Sequence, residues 1–197
     1  MQETCAVVIL AGGEGRRLGY TDKALVRAAG QPLLALGLAR LRPQVAHIVL
    51  SANGDPARFA AFGLPVVADA LNDAGPLAGI AAAAAYCATT WPAVTALITI
   101  PVDVPLPPLD LVARLMRPHA AGVVVAEADG RRQWAIARWQ LCAALALTDP
   151  LHAGLRRVED AIQAAGITTV SFPEAGAFRN INTPDDLAQL ERTLTQI

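Results

Sequence analysis

The sequence predicts an α/β fold, a mostly parallel sheet that carries one antiparallel strand and has helices between its strands. Three observations point there. The runs Cys5 to Leu10, Val45 to Ala52 and Val94 to Ile100 are short, apolar and rich in β-branched residues. They lack polar alternation, which is the pattern of strands buried on both faces. The intervals between them hold helical stretches, such as Leu33 to Leu41 and Leu77 to Cys87, as parallel crossovers require. Last, Asp129-Gly130 separates two strand-like runs, Gly122 to Ala128 and Arg132 to Trp139. Asp-Gly is a strong hairpin turn, so this pair is antiparallel.

Length and composition narrow the reading. A chain of 197 residues suits one well-buried domain, and 54% hydrophobic residues exclude disorder. A net charge of −1 provides no global basic field, which argues against nucleic acid as a partner. No apolar run is long enough to span a bilayer, so no membrane partner is expected. Cys5, Cys87 and Cys142 are far apart and suggest neither a disulfide framework nor a zinc site. The chain enters its first strand at once, without the layout of a signal peptide. A reduced, cytoplasmic protein is expected.

The first strand delivers the stretch Leu10-Ala-Gly-Gly-Glu-Gly-Arg-Arg-Leu-Gly-Tyr-Thr-Asp-Lys23. Glycines let backbone N–H groups approach an anion, and Arg16, Arg17 and Lys23 supply charge for phosphate. Neither common phosphate loop fits. No count from Gly13 or Gly15 yields the P-loop, and the dinucleotide fingerprint begun at Gly13 would need glycine where Leu18 stands. Lys23 is the sole lysine, against fifteen arginines. A compact ammonium is used where arginine serves elsewhere, which marks it as a chemical choice.

Farther along, Pro32 opens a leucine-rich helix, and Val45 to Ala52 ends in Ser51-Ala-Asn53-Gly-Asp-Pro56. Asn53 reads both as a turn former and as a group that meets a base or ribose. A short helix over Pro56 to Phe62 and a third strand over Leu64 to Ala68 follow. That strand runs into Asp69-Ala-Leu-Asn-Asp73-Ala-Gly75-Pro-Leu-Ala-Gly79. Asp73 has the character of a helix cap, while Gly75 and Gly79 are more glycine than capping needs and suggest a ligand-facing loop. The buried run Val94 to Ile100 ends in Pro101-Val-Asp103-Val-Pro105. Flanking prolines hold the Asp103 carboxylate rigidly, as a ligand of Mg²⁺ requires. Trp134 and Trp139 either line the mouth of a second site that admits a flat ring or pack the core. Arg156 and Arg157 either meet phosphate or lie on a solvated face. The strand Ile167 to Phe172 leads to Phe178-Arg-Asn180-Ile-Asn182-Thr183. Thr183, Pro184 and Asp186 form a capped helix start that leaves Asn180 and Asn182 unexplained. Together these groups suit phosphoryl or nucleotidyl transfer, which needs positioning and charge neutralisation rather than a side-chain nucleophile.

The signature Leu-Ala-Gly-Gly-x-x-x-Arg-Leu-Gly-x-x-Asp-Lys resembles the N-terminal motif of the MobA-like nucleotidyltransferases. Further matches are Ser51-Ala-Asn53, Asp69, Asp73-x-Gly75-Pro-Leu-Ala-Gly79, Pro101-x-Asp103-x-Pro105 and Phe178-x-Asn-Ile-Asn-Thr-Pro. The resemblance implies a Rossmann-like three-layer α/β/α nucleotidyltransferase fold. Residues 1–105 would bind the nucleotide and residues 106–197 the acceptor. It implies transfer of GMP from GTP to the terminal phosphate of molybdopterin or Mo-molybdopterin, with Mg²⁺ as cofactor and pyrophosphate leaving. Leu10, Ala11, Gly12 and Gly13 would hold the guanine nucleotide through the backbone, and Arg17 and Lys23 its triphosphate. Ser51, Asn53, Asp69, Gly75 and Gly79 would line the nucleoside side. Asp103 would hold Mg²⁺, with Asn180 and Asn182 near the metal or the pterin. Arg17, Lys23 and Asp103 are the expected catalytic set. A molybdenum-insertion protein and molybdoenzyme chaperones are implied partners, and the chain is expected to be a monomer or weak oligomer. Valines flank Asp103 where the family often has cysteine and threonine, and Gln133-Trp134 replaces His-Pro. Ser51 stands where the type member has an amide. Cytidylyl relatives tend to have Leu-Ala-Ala-Gly, so Gly12-Gly13 favours guanine. A cytidylyltransferase, a sugar-phosphate nucleotidyltransferase and a nucleotide-binding module without turnover are the alternatives.

Overall fold

The computed structural model describes residues 4–12, 22–69, 71, 75–117 and 122–196. Gly13, Arg16, Arg17 and Asp73 lie outside them. The first strand, β1 (Thr4–Leu10), is fully buried along its middle. A 3₁₀ turn, Lys23–Leu25, precedes a two-strand ribbon, β2 (Arg27–Ala28) and β3 (Gln31–Pro32). Helix α1 (Leu33–Leu41) follows, then β4 (His47–Ser51), a 3₁₀ helix over Pro56–Phe62 and β5 (Val66–Val67). Helix α2 (Pro76–Thr90) leads to β6 (Val94–Pro101) and α3 (Leu111–Met116). The hairpin β7 (Val123–Ala128) and β8 (Arg131–Gln140) is followed by α4 (Leu141–Leu145), α5 (Thr148–His152) and α6 (Val158–Ala165). Strand β9 (Ile167–Ser171) and helix α7 (Pro184–Leu194) complete the order.

Seven strands form one sheet in the order β5-β4-β1-β6-β8-β7-β9. Strand β8 runs antiparallel to both neighbours, while the β4–β1, β1–β6, β4–β5 and β7–β9 pairs are parallel. This is the mostly parallel sheet with one antiparallel strand that the runs and the Asp129-Gly130 turn predict. Asp129 takes φ 51° and Gly130 φ 69°, the positive pair a type I′ turn requires.

Alternation along the strands splits the core into two layers. Val7, Ile9, Ile48, Leu50, Ile98 and Ile100 face α1 and α3, whose Leu34, Leu38, Leu41, Leu111 and Leu115 cover them. Ala6, Val8, Val49 and Leu97 face α2, with Leu77, Ile80, Ala83, Ala84 and Cys87 packed beneath. The alanines let α2 lie close to the sheet. Burial there pushes the Cys87 thiol up to about 11, so it stays protonated. The helices on both faces make this the three-layer arrangement expected from the resemblance. Among the described residues, no helix is long and apolar enough to cross a membrane.

One local expectation needs correction, and one open alternative is decided. The third strand shrinks from Leu64–Ala68 to Val66–Val67 because it lies at the sheet edge and Pro65 has no N–H for a ladder. Trp139 lines no second site. It is fully buried opposite Leu97 in the layer beneath α2. Trp134 packs partly buried against the same layer, with the Arg132 guanidinium 5.5 Å from its ring centroid.

Candidate functional site

A cavity of about 480 Å³ opens at the carboxyl ends of β1, β4 and β6. Its described lining includes Leu10, Gly12, Lys23, Ser51, Asn53, Asp69, Gly75, Gly79 and Asp103. A crevice outside the carboxyl ends of an open sheet is where ligands of such folds bind, and this volume suits a nucleotide-sized molecule.

Lys23 and Asp103 mark one end. Asp22 caps the 3₁₀ turn by accepting from the Ala24 N–H (3.1 Å), and the turn aims Lys23 across the sheet edge. The Lys23 ammonium donates to Asp103 Oδ2 at 2.8 Å and to Asn182 Oδ1 at 2.5 Å. Both charged side chains are largely buried, at 12% and 20% exposed. Three chain segments thus meet at one nitrogen. The C-terminal segment is anchored there a second time, since the Ile181 N–H donates to the Asp103 carbonyl (2.9 Å). Thr183 and Asp186 form a capping box on α7. The backbone N–H groups of Asn182 and Thr183 and the Thr183 hydroxyl donate to the Asp186 carboxylate. These bonds, the Asn182 N–H foremost, hold the Asp186 carboxyl below its ordinary range.

Asp103 Oδ1 is buried and has no hydrogen-bond partner among the described residues. A buried carboxylate oxygen with an empty lone pair is costly unless a cation or donor arrives. Among the described residues, no group of three or more His, Cys, Asp or Glu could hold a metal ion. The donor set therefore fits an ion that binds one carboxylate and takes its remaining ligands from phosphate and water.

The other end is a carboxylate–amide pair. Asp69 Oδ2 accepts from Asn53 Nδ2 (2.9 Å), and the Asp69 N–H donates to Asn53 Oδ1 (2.9 Å). The Ser51 hydroxyl is 3.4 Å from Asp69 Oδ1. Asn53 gives one amide hydrogen and one carbonyl lone pair to Asp69 and so orients that carboxylate, while it also lines the cavity. Gly79 explains itself here. A Cβ on it would sit 2.2 Å from Ser51 Oγ and 3.1 Å from Asp69 Oδ1, so glycine lets α2 approach the pair. Gly75 starts α2 at φ 70°, a conformation other residues adopt at a cost. At Gly12 a Cβ would meet nothing within 4 Å among the described residues.

Some expected residues stand elsewhere. Ala11 is buried in the core, and its N–H donates to the Ser51 carbonyl (2.8 Å). Leu10, which does line the cavity, also ties the sheet, its carbonyl accepting from the Val102 N–H (3.0 Å). Asn180 is exposed and outside the described cavity lining. Arg156 donates to the carbonyls of Leu151 and Leu155, and Arg157 pairs with Glu159, so both have local partners. Two features carry no sequence signal. Register between β7 and β8 jumps from Val125–Ala137 to Ala126–Gln133, so residues 134–136 bulge and put Ala135 on the cavity wall. Buried Thr99 pins that bulge, donating to the Ala135 carbonyl (2.9 Å) and accepting from the Ala137 N–H (3.2 Å). The second is Arg58, which bonds Asp22 (2.7 Å) behind the cavity.

Comparison with known proteins sets this arrangement among enzymes that transfer nucleotidyl groups. The sequence profile of the MobA-like NTP transferase domain matches residues 7–165, and the chain belongs to that family. A protein named molybdenum cofactor guanylyltransferase from Cereibacter sphaeroides is 44% identical over 187 residues, covering 95% of each chain. One of the same name from Mesorhizobium japonicum is 42% identical over 204 residues, covering 98% of each. Among solved structures, molybdopterin-guanine dinucleotide biosynthesis protein A from Archaeoglobus fulgidus superposes with a TM-score of 0.77 at 22% identity. It covers 98% of this chain and all of its own, and the likeness is one of fold.

Proposed function

We propose that this nucleotidyltransferase is a molybdenum cofactor guanylyltransferase, which moves GMP from GTP to the terminal phosphate of molybdopterin or Mo-molybdopterin. The observation that carries the chemistry is the Lys23–Asp103 pair at one end of a nucleotide-sized cavity, its Asp103 Oδ1 without a partner among the described residues. Relatives of the same name, above 40% identical over nearly the whole chain, support the choice of guanine and of acceptor.

In this reading Asp69, oriented by Asn53 and Ser51, faces the nucleoside, and Gly12, Gly75 and Gly79 leave room for it. Lys23 lies against the triphosphate, the role that the family signature also gives to Arg17, which is outside the described residues. An oxygen of the acceptor phosphate attacks the α-phosphorus. The bond from that phosphorus to the bridging oxygen of the β-phosphate breaks, and pyrophosphate leaves with the electron pair. The attacking oxygen is already anionic, so no side chain has to remove a proton. The Lys23 ammonium has three donors, two of them engaged by Asp103 and Asn182; the third faces the charge that builds up on the phosphates. Asp103 would hold Mg²⁺ through Oδ1, and that ion, when bound, would neutralise phosphate charge and draw off electron density from the leaving group. Asn180 and Asn182 border the acceptor side. The cytoplasm, where GTP is plentiful and thiols stay reduced, is the matching compartment.

Calorimetric binding of GTP, CTP, ATP and UTP with Mg²⁺, followed by turnover with molybdopterin, tests this function. GTP is expected to bind selectively, and Asp103→Ala to lose the Mg²⁺-dependent part of that binding together with at least about 10³-fold in kcat. Selective binding of CTP would overturn the guanylyl assignment. Absence of any nucleotide binding would overturn nucleotidyl transfer altogether.

A further inference from the structure

Arg58 lies on the 3₁₀ helix Pro56–Phe62, behind the cavity and outside its described lining. Nothing in its sequence context marks it. Yet its guanidinium holds two separate parts of the site at once. Nε donates to Asp22 Oδ2 (2.7 Å), and Nη2 donates to the Asn53 carbonyl (2.5 Å). Nη1 bonds the Asp55 carbonyl, closing the turn around the fork. The fork itself stacks on the Phe59 ring, 4.3 Å from its centroid, and Phe59 is fully buried. Gly54 permits this wrap, with φ 84° and only 3.4 Å between a would-be Cβ and Arg58 Nη1.

Each bonded partner leads to one end of the cavity. Asn53 offers its carbonyl to Arg58 and its amide to Asp69. Asp22 offers Oδ2 to Arg58 and Oδ1 to the Ala24 N–H, which fixes the turn that carries Lys23. The path from Asp69 through Asn53, Arg58 and Asp22 to Lys23 is continuous. Asp22 is only 14% exposed, so the ion pair is not a loose surface contact.

We propose that Arg58 is a positioning residue that sets the distance between the nucleoside end and the phosphate end of the site. The planar fork reaches Asp22 and two carbonyls from one fixed centre, which a lysine ammonium on a flexible stem does not reproduce. The proposal rests on the nucleotidyl-transfer reading for its catalytic consequence, but not for its structural one.

Lys23 is the only lysine in the chain, so ¹⁵N-lysine labelling yields a single side-chain ammonium resonance that reports this turn alone. In the full-length protein without nucleotide, Arg58→Gln is expected to broaden and move that resonance toward free lysine. The indole signals of Trp91, Trp134 and Trp139 should stay in place, and Arg58→Met, which keeps an apolar stem over Phe59 without the fork, should move the resonance as far as Arg58→Gln does. Asp22→Asn, which keeps the helix-capping oxygen but weakens the ion pair, should shift the same resonance and serves where Arg58→Gln folds poorly. In GTP turnover, Arg58→Gln should lower kcat roughly 10- to 100-fold, the cost of small misplacement. That loss should vanish in a Lys23→Met background, because both changes act through one ammonium. An unmoved Lys23 resonance in folded Arg58→Gln and Asp22→Asn would overturn the proposal, as would a kcat loss that persists undiminished without Lys23. A wild type that turns over no nucleotide would overturn the functional reading instead, leaving the resonance test to decide on Arg58.

Discussion

The two ends of the cavity are built in opposite ways. Ser51, Asn53 and Asp69 come from the ends of neighbouring strands β4 and β5, so sheet register alone brings them together. Lys23, Asp103 and Asn182 come from three distant segments, 80 and 159 residues from the lysine in sequence. The first end is a carboxylate pinned by an amide and a hydroxyl with α2 pressed against it. The second is one ammonium shared between a carboxylate and an amide, with a carboxylate oxygen that has no partner among the described residues. A pinned end suits recognition, which needs fixed geometry before the ligand arrives. An end with open valences suits chemistry, since its donors gain most when phosphate charge develops.

Removing Lys23 should divide the two ends most sharply. Lys23→Ala is expected to lower kcat with GTP about 10²- to 10³-fold, by analogy with loss of a single charge-stabilising donor. Guanosine, which carries no phosphate, should bind the variant as it binds the wild type. Isothermal titration with both ligands checks this, and parallel loss of guanosine binding would show that the ends are not separable.

Gly79→Ala attacks the pinned end. Its Cβ would sit 2.2 Å from Ser51 Oγ, so α2 or Ser51 has to shift. The variant should lose roughly 1–3 kcal/mol of stability, as overpacked sites do, and raise KM for GTP more than it lowers kcat. Ser51→Gly in the same chain removes the nearest clashing atoms and should return part of both losses. Denaturant melts and steady-state kinetics read the two effects.

The smallest effect concerns the tail that reaches Lys23. Asp186→Ala removes the carboxylate that closes the α7 capping box, at a cost of about 0.5–2 kcal/mol. Acid should do the same reversibly. The Asp186 carboxyl is held below its ordinary range in the folded chain, so its stabilisation is complete above the unfolded aspartate value near about pH 4. It is lost as pH falls through the lower, folded value. Because Asp186 is only half-buried and still screened by solvent, the loss should be modest. Amide exchange across residues 184–194 as a function of pH measures it, and the nucleoside end should show no matching change.

Much of this was legible in the chain, and the limits have physical causes. Buried parallel strands need unbroken apolar runs, so β1, β4 and β6 announce themselves, and with them the edge where Lys23, Asp69 and Asp103 stand. Thr183, Pro184 and Asp186 spell a helix start because capping is a local bargain among adjacent residues. Trp139 stands between two readings in the sequence, since a large amphipathic ring reads alike at a rim and in a core; its register opposite Leu97 settles on the core. Asn53 showed its place but not its task, which depends on Asp69 facing it across two strands. Arg17, Gly13 and Asp73 lie outside the described residues.

What the sequence by itself determined is therefore the sheet, the edge where the cavity opens and the residue types brought there, because periodicity, turn chemistry and caps act over a few neighbouring residues. Tertiary structure alone decided which of those groups touch. Lys23 meets Asn182, Arg58 meets Asp22, and Gly79 yields to Ser51 only once the crossovers and the C-terminal helix have closed. Those pairings depend on distances across the fold rather than along the chain, and no local pattern encodes a distance across the fold.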